Sequence, residues 1–364
     1  MAHREDKMLG GLQIMRAVAA LMVAAHHGME AARHYAAAPM SPDWLTTAGA
    51  AGVDIFFVIS GFIMMVVAFP PDRPPDRPWS FMRKRIARIY PLYWATAAGV
   101  LAILAMGAAT IVPNPGISAE NLIRSLLLVP TEDLLIQVSW TLVHEMNFYV
   151  LFALMLIFSN RTISLIGVAA LILLQVALAP LAPDAAFALF LSRPIAFEFV
   201  FGMALGYVHL RRALRPLHWA IPATAFALLL LAPFLLPHES TGGLDALDRV
   251  WAWGLPAIAI VAASVTWRIG SDVWSKAGLL LGNASYAIYL LHPYVVWVYV
   301  KGLEKFAPFA QAPQFLPVVV ITILCAAVGA AAHLLVELPL TAAARRLLLP
   351  KRKPAVAQGA GAAG

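Results

Sequence analysis

Residues 12–35 read LQIMRAVAALMVAAHHGMEAARHY, and this stretch decides the fold. Its Ala, Val, Leu and Met make an apolar run about as long as a bilayer crossing requires. Set into that run are Arg16, His26, His27 and Glu30. Ionisable groups are costly in hydrocarbon, so where they persist they face a protein-lined cavity and mark a functional path. Arg16 and His27 are eleven residues apart, about 1100° at roughly 100° per residue, which sets them within ~20° of one helix face. His26 points about 80° away from that line. The rise between Arg16 and His27 is about 16 Å, half a hydrocarbon core. One helix face therefore carries a fixed cation at one depth and a titratable base at another.

The rest of the chain extends this pattern. Of 364 residues, 61% are hydrophobic and 12% charged, and mean hydropathy is +0.79. That composition excludes a soluble domain of this size and predicts an all-α, polytopic membrane bundle of about ten transmembrane helices. The spans expected are 10–31, 49–69, 89–111, 140–159, 162–181, 187–209, 217–236, 250–267, 278–300 and 315–337. Residues 1–345 read as one transmembrane domain, and 346–364 as a basic, disordered tail. A cytoplasmic N-terminus puts nineteen Lys and Arg on the inner side against six on the outer. This positive-inside bias predicts an even span count with both termini cytoplasmic. An N-terminal signal peptide is set aside, because the histidines interrupt the expected cleavage region and nine more spans follow. The net charge of +7 sits in short loops beside the spans, which reads as topology and not as a nucleic-acid face. The lone Cys325 excludes an intrachain disulfide, and no HExxH spacing occurs, so no metal is expected. Phosphate-binding glycine loops are absent too. Between spans, PPDRPPDRP (residues 70–78) reads as an extended linker, and 112–139 as an outer segment with an interfacial or re-entrant helix.

Several further groups carry candidate chemistry. Asp54 lies just inside the outer end of span two, where a hairpin with span one would set it near His27. A carboxylate there would orient the imidazole and raise its basicity; the plainer reading is a helix cap or structural pair. Arg83, Lys84, Arg85 and Arg88 open span three as a topology anchor or a phosphate site. Arg85 and Arg88 share a face there, and Arg16 could extend it. Glu145 begins span four at roughly the depth of His27, with His144 about 100° away on the helix. Glu198 is a lone carboxylate in span six. Ser285, Tyr289 and His292 share one face of span nine, and His292 reads as a ligand, a base or a satisfied core histidine, the last preferred. His333 and Glu337 form an i,i+4 pair.

In order along the chain, Arg16-x10-His27, GVDIFFVISGF (52–62), RKRIARIYPLYW (83–94), SWTLVHEMNFY (139–149), FEFVFGMALGY (197–207) and GNASYAIYLLHPYV (282–295) resemble the membrane acyltransferase-3 family. Its members include bacterial exopolysaccharide and O-antigen O-acetyltransferases. The resemblance implies that Arg16 and His27 are the functional pair and that Arg85 and Arg88 serve the acyl-CoA side. Many relatives have two adjacent glutamates in span four. Here Glu145 is followed by Met146, a form similar to the exopolysaccharide branch. The function implied is an O-acyltransferase of the bacterial inner membrane. Acetyl-CoA or another acyl-CoA is the donor, and a polysaccharide or lipid-linked glycan the acceptor. Arg16, Arg85 and Arg88 then hold the coenzyme, while His27, Asp54 and Glu145 serve catalysis. The rival reading is a proton-coupled transporter in which His27, Asp54 and Glu198 relay protons.

Overall fold

The computed structural model describes residues 2–35, 42–107, 117–131, 133–181, 186–235, 247–305 and 315–349, and every regular element among them is helical. The first run forms α1 (Ala2–Tyr35). There follow α2 (Asp43–Ala48), α3 (Gly52–Ala68), α4 (Pro78–Ala105), α5 (Ala119–Leu126), α6 (Trp140–Met155), α7 (Arg161–Leu178), α8 (Ala186–Leu191), α9 (Phe197–Arg211) and α10 (Ala220–Leu235). The last four are α11 (Leu247–Thr266), α12 (Val273–Asn283), α13 (Ser285–Lys305) and α14 (Phe315–Leu348).

Among the described residues, six helices are long and apolar enough to cross a membrane, or seven if the bent α12–α13 pair is one span. The sequence predicted ten. Each predicted span does contain a helix, but four depart from a plain crossing. Span one carries its ionisable groups. Span six is interrupted between α8 and α9, where Pro194 opens a short 3-10 turn. α10 is short. Span nine, read as one straight helix, bends by 73° where α12 ends at Asn283 and α13 begins at Ser285. At the C-terminal end the helix continues to Leu348, past the boundary drawn at 345; residues 350–364 lie outside the described residues. Within 112–139 the described residues form a short helix, α5, started by the Ser118 side chain accepting from the Asn121 amide.

α1 sits at the centre and packs against α3, α11, α12, α13 and α14. The most intimate crossing joins α3 to α9. Gly61 and Gly202 permit it, since a Cβ on either would run into the backbone carbonyl of Phe199 or Val58 on the other helix. Small residues at such crossings are what bilayer packing favours. The outward faces of α7 and α14 expose Ile166, Leu173 and Ile323, side chains suited to lipid. Two π turns, Val250–Gly254 and His333–Glu337, interrupt α11 and α14 beside buried charged groups.

Candidate active site

α1, α3, α4, α6 and α13 enclose a cavity of about 230 Å³. Its walls are mostly apolar, with Phe56, Phe57, Ile63 and Met64 from α3. Against these stand Arg16 from α1, Arg85 and Arg88 from α4, Glu145 from α6 and Ser285 from α13. Three guanidinium groups thus face one carboxylate across a small, largely apolar space. Glu145 Oε1 is already engaged: Ser60 Oγ donates to it at 3.0 Å, and the Tyr149 hydroxyl donates to it as well. Arg16 leans on Gln13 at 3.3 Å. Arg85 lies over the Phe81 and Tyr149 rings at 5.3 and 5.8 Å, and its Nε is buried without a hydrogen-bond partner. Ser285 Oγ is likewise buried and unpartnered. Buried polar atoms without partners are costly, and at a cavity wall they are the places a ligand would satisfy.

The basic run that opens α4 is divided by the helix. Lys84 turns outward and donates to Asp76 at 2.7 Å, and Asp76 also accepts from Arg73 at 2.8 Å. The Asp76 amide closes onto the Ala68 carbonyl at 2.9 Å, so the proline-rich linker is a clasped turn and not a free tether. Arg83 lies over Trp79. Arg85 and Arg88, three residues apart, face inward. The helix thus turns Arg85 and Arg88 toward the cavity, while Lys84 and Arg83 pair elsewhere.

His27 lies outside the cavity wall. Its Nδ1 is 3.0 Å from the Val23 carbonyl and 3.3 Å from His292 Nε2. His292 sits one turn beyond Tyr289, a residue that does line the cavity. The Tyr289 hydroxyl donates to the Val138 carbonyl at 3.2 Å and accepts from Thr141 at 3.0 Å, and its ring meets Phe56 edge-on. Tyr289 thus both lines the cavity and meets the His292 ring, their centroids 5.7 Å apart. His26 turns the other way: its Nδ1 donates to the Thr46 carbonyl at 2.7 Å, and its Nε2 is 3.6 Å from Glu30. Among the described residues His26, His27 and Glu30 are the group closest to metal-ligand spacing, their ligand atoms within 4.8 Å of one another.

The expectation that Asp54 orients His27 meets a different geometry. Both Asp54 oxygens accept from Arg249, Oδ1 from Nε at 3.1 Å and Oδ2 from Nη2 at 2.8 Å. Asp54 is 0% and Arg249 3% exposed, and Arg249 also stacks over Trp253. A buried guanidinium draws a carboxylate more strongly than a neutral ring does, which is why Asp54 is committed here. The Glu198 carboxylate lies buried beside Gly254, its oxygens without hydrogen-bond partners, in the field of Asp54 and Arg249.

Comparison with known proteins bears on what such a bundle is. The acyltransferase-3 profile, described as "Acyltransferase domain", matches residues 9–331. The chain belongs to the acyltransferase-3 family. It is similar to the exopolysaccharide production protein ExoZ of Rhizobium meliloti (strain 1021), 36% identical over 308 residues, 81% of this chain and 90% of ExoZ. It is also similar to the acyltransferase MdmB of Streptomyces mycarofaciens, 37% identical over 120 residues, 30% of this chain and 29% of MdmB. No solved structure matches. The chain is thus a membrane O-acyltransferase.

Within that family frame, four of the six candidate residues meet at one cavity: Arg16, Arg85, Arg88 and Glu145. His27 and Asp54 do not line it. Of the three groups in the transporter reading, Asp54 is held by Arg249. Sequence reasoning missed Arg249, counted as an outer loop charge, because nothing in ALDRVW shows that its side chain turns inward. It undervalued His292, although the Ser285–Tyr289–His292 spacing held the signal: two of these line the cavity and the third meets His27. His144 behaves as its helical angle required, away from the cavity and stacked on Phe190 at 4.4 Å.

Proposed function

We propose that this acyltransferase moves an acyl group, most simply acetyl, from cytoplasmic acyl-CoA to a hydroxyl of an exported polysaccharide or its lipid-linked precursor. Ten helices crossing the inner membrane, with both termini cytoplasmic, give the matching orientation. The observation that carries the reading is the cavity with three arginines, one of which keeps a buried Nε unpartnered. Guanidinium groups bind phosphate oxygens in a fork, and a polyanionic coenzyme supplies such oxygens. The ExoZ likeness favours an exopolysaccharide acceptor.

In this reading Arg16, Arg85 and Arg88 hold the coenzyme phosphates, and the pantetheine arm runs past Phe56 and Tyr289 toward His27. Neutral His27 takes the proton of the acceptor hydroxyl as its oxygen bonds to the thioester carbonyl carbon. The carbon–sulfur bond then breaks, and the coenzyme thiolate recovers the proton from His27. Glu145, tied to Ser60 and Tyr149, offsets part of the arginine charge and fixes the cavity wall. Asp54 serves catalysis indirectly, by keeping α3 and α11 joined. The test is purified protein in vesicles with labelled acetyl-CoA, with and without the glycan of the producing strain. Label transferred only when glycan is present supports the reading; coenzyme that neither binds nor reacts contradicts it.

A further inference from the structure

His27 and His292 come from opposite ends of the chain, yet their rings pack with centroids 5.0 Å apart. The hydrogen positions follow from which partners can only accept. His292 Nδ1 lies 2.6 Å from the Tyr289 carbonyl, which has no hydrogen to give, so Nδ1 carries the hydrogen. The neutral ring then has its lone pair on Nε2, and that lone pair faces His27 Nδ1 at 3.3 Å. His27 Nδ1 is also 3.0 Å from the Val23 carbonyl, another group that only accepts. It too carries the hydrogen, shared between Val23 and His292. The remaining nitrogen of His27, Nε2, is left with the lone pair, and it has no hydrogen-bond partner among the described residues.

From this chain of contacts we propose that His292 is the positioning residue that fixes the tautomer and ring angle of His27. It fills the place in which the sequence reading had set Asp54. The proposal rests on His27 being the base. A base needs a lone pair on the nitrogen that meets the hydroxyl, and a ring in the other tautomer offers a hydrogen there instead. The single bond to Val23 belongs to α1 itself and leaves the ring free to swing about it. The second acceptor, on α13, pins the plane. When Nε2 takes a proton the ring becomes cationic, and its Nδ1–H bond to the His292 lone pair strengthens, since charge-assisted bonds are stronger than neutral ones. His292 is fully buried, so water does not compete for that contact. The arrangement also links the histidine pair to the arginine cavity, because the carbonyl orienting His292 belongs to Tyr289, a residue that lines that cavity.

The experiment compares His292→Leu, His292→Gln and His27→Ala in vesicles, with acetyl-CoA binding as the gauge of fold and acyl transfer as the readout. Leucine removes the acceptor; glutamine restores an acceptor oxygen near the former Nε2. The expected result is a fall in kcat of about 10²-fold for His292→Leu at unchanged acetyl-CoA affinity, with His292→Gln recovering at least about ten-fold. A kcat for His292→Leu within about three-fold of wild type, while His27→Ala is inactive, overturns the proposal and leaves the base assignment standing. Leucine and glutamine variants equally slow also overturn it. Full activity in His27→Ala sinks the base assignment itself. Should His292→Leu fail to fold, nitrogen-15 spectra of histidine-labelled wild type decide: a hydrogen on His27 Nδ1 supports the proposal, and one on Nε2 overturns it.

Discussion

Arg249 and Arg85 are both guanidinium groups inside the helical bundle, and they are satisfied in opposite ways. Arg249 gives two hydrogen bonds to Asp54, a third to the Ala50 carbonyl at 3.5 Å, and rests on the Trp253 face. Arg85 stacks on two rings, leaves Nε without a partner and faces a cavity with two more arginines. A charge whose bonds are completed within the protein holds helices together. One left incomplete at a cavity wall is stabilised by what enters. The same residue type therefore marks structure in one place and, in the proposed function, a ligand site in another, and the difference lies in its partners.

That contrast breaks most visibly at the satisfied pair. Asp54→Asn leaves Arg249 buried without its counter-charge and is expected to destabilise the protein by about 3–5 kcal/mol. The measurement is thermal unfolding in detergent, and Asp54→Leu combined with Arg249→Met should recover most of the loss. An Asp54→Asn protein as stable as wild type but poor in transfer would return Asp54 to the catalytic role.

At the open site the expected effect is smaller and falls on binding. Arg85→Ala and Arg88→Ala should each cost about 1.5–3 kcal/mol in acyl-CoA affinity, roughly ten-fold or more, with stability little changed. Lysine should rescue in part, since a point charge lacks the guanidinium fork. Unchanged affinity in both variants would make the inward half of the basic run a topology anchor like Lys84.

The helix crossing next to the satisfied pair gives a comparable figure. Gly202→Ala drives a methyl into the Val58 carbonyl and should destabilise by about 1–3 kcal/mol, read by the same unfolding measurement. The smallest effect belongs to the clasp at Asp76. Burial opposes ionisation there, but hydrogen bonds from Lys84 and Arg73 outweigh it and hold the carboxyl below its usual range. A depressed carboxyl contributes stability above its ordinary pKa and loses it as pH falls through the folded value. The clasp should therefore persist at neutral pH and weaken only below about pH 4. Asp76→Asn should flatten that acid limb of the stability profile.

Much of this was legible in the sequence because helical angle is a local property. The alignment of Arg16 with His27, the shared face of Arg85 and Arg88, and the divergence of His144 from Glu145 all follow from spacing along one helix. What spacing does not carry is which helix lies opposite. Asp54 was assigned to His27 because the two spans are adjacent in the chain, yet Arg249 reaches it from 195 residues away. His292 could not be resolved among ligand, base and core histidine because its partner is 265 residues distant. The 73° bend before Ser285 was hidden for a related reason, since GNAS reads as small residues within a span, and both halves of the bent pair pack against α1, far away in sequence.

The account's central claim is that the arginine cavity and the His27–His292 pair are successive stations for one acyl group. Its most direct test is acetyl-CoA affinity and acyl transfer measured on the same vesicle preparations of His26→Ala and His27→Ala. The account predicts that both bind acetyl-CoA as wild type does. It also predicts that His27→Ala transfers about 10²–10⁴-fold more slowly while His26→Ala stays within a few-fold. A His27→Ala protein that transfers at the wild-type rate, or a His26→Ala protein that is the inactive one, would contradict it.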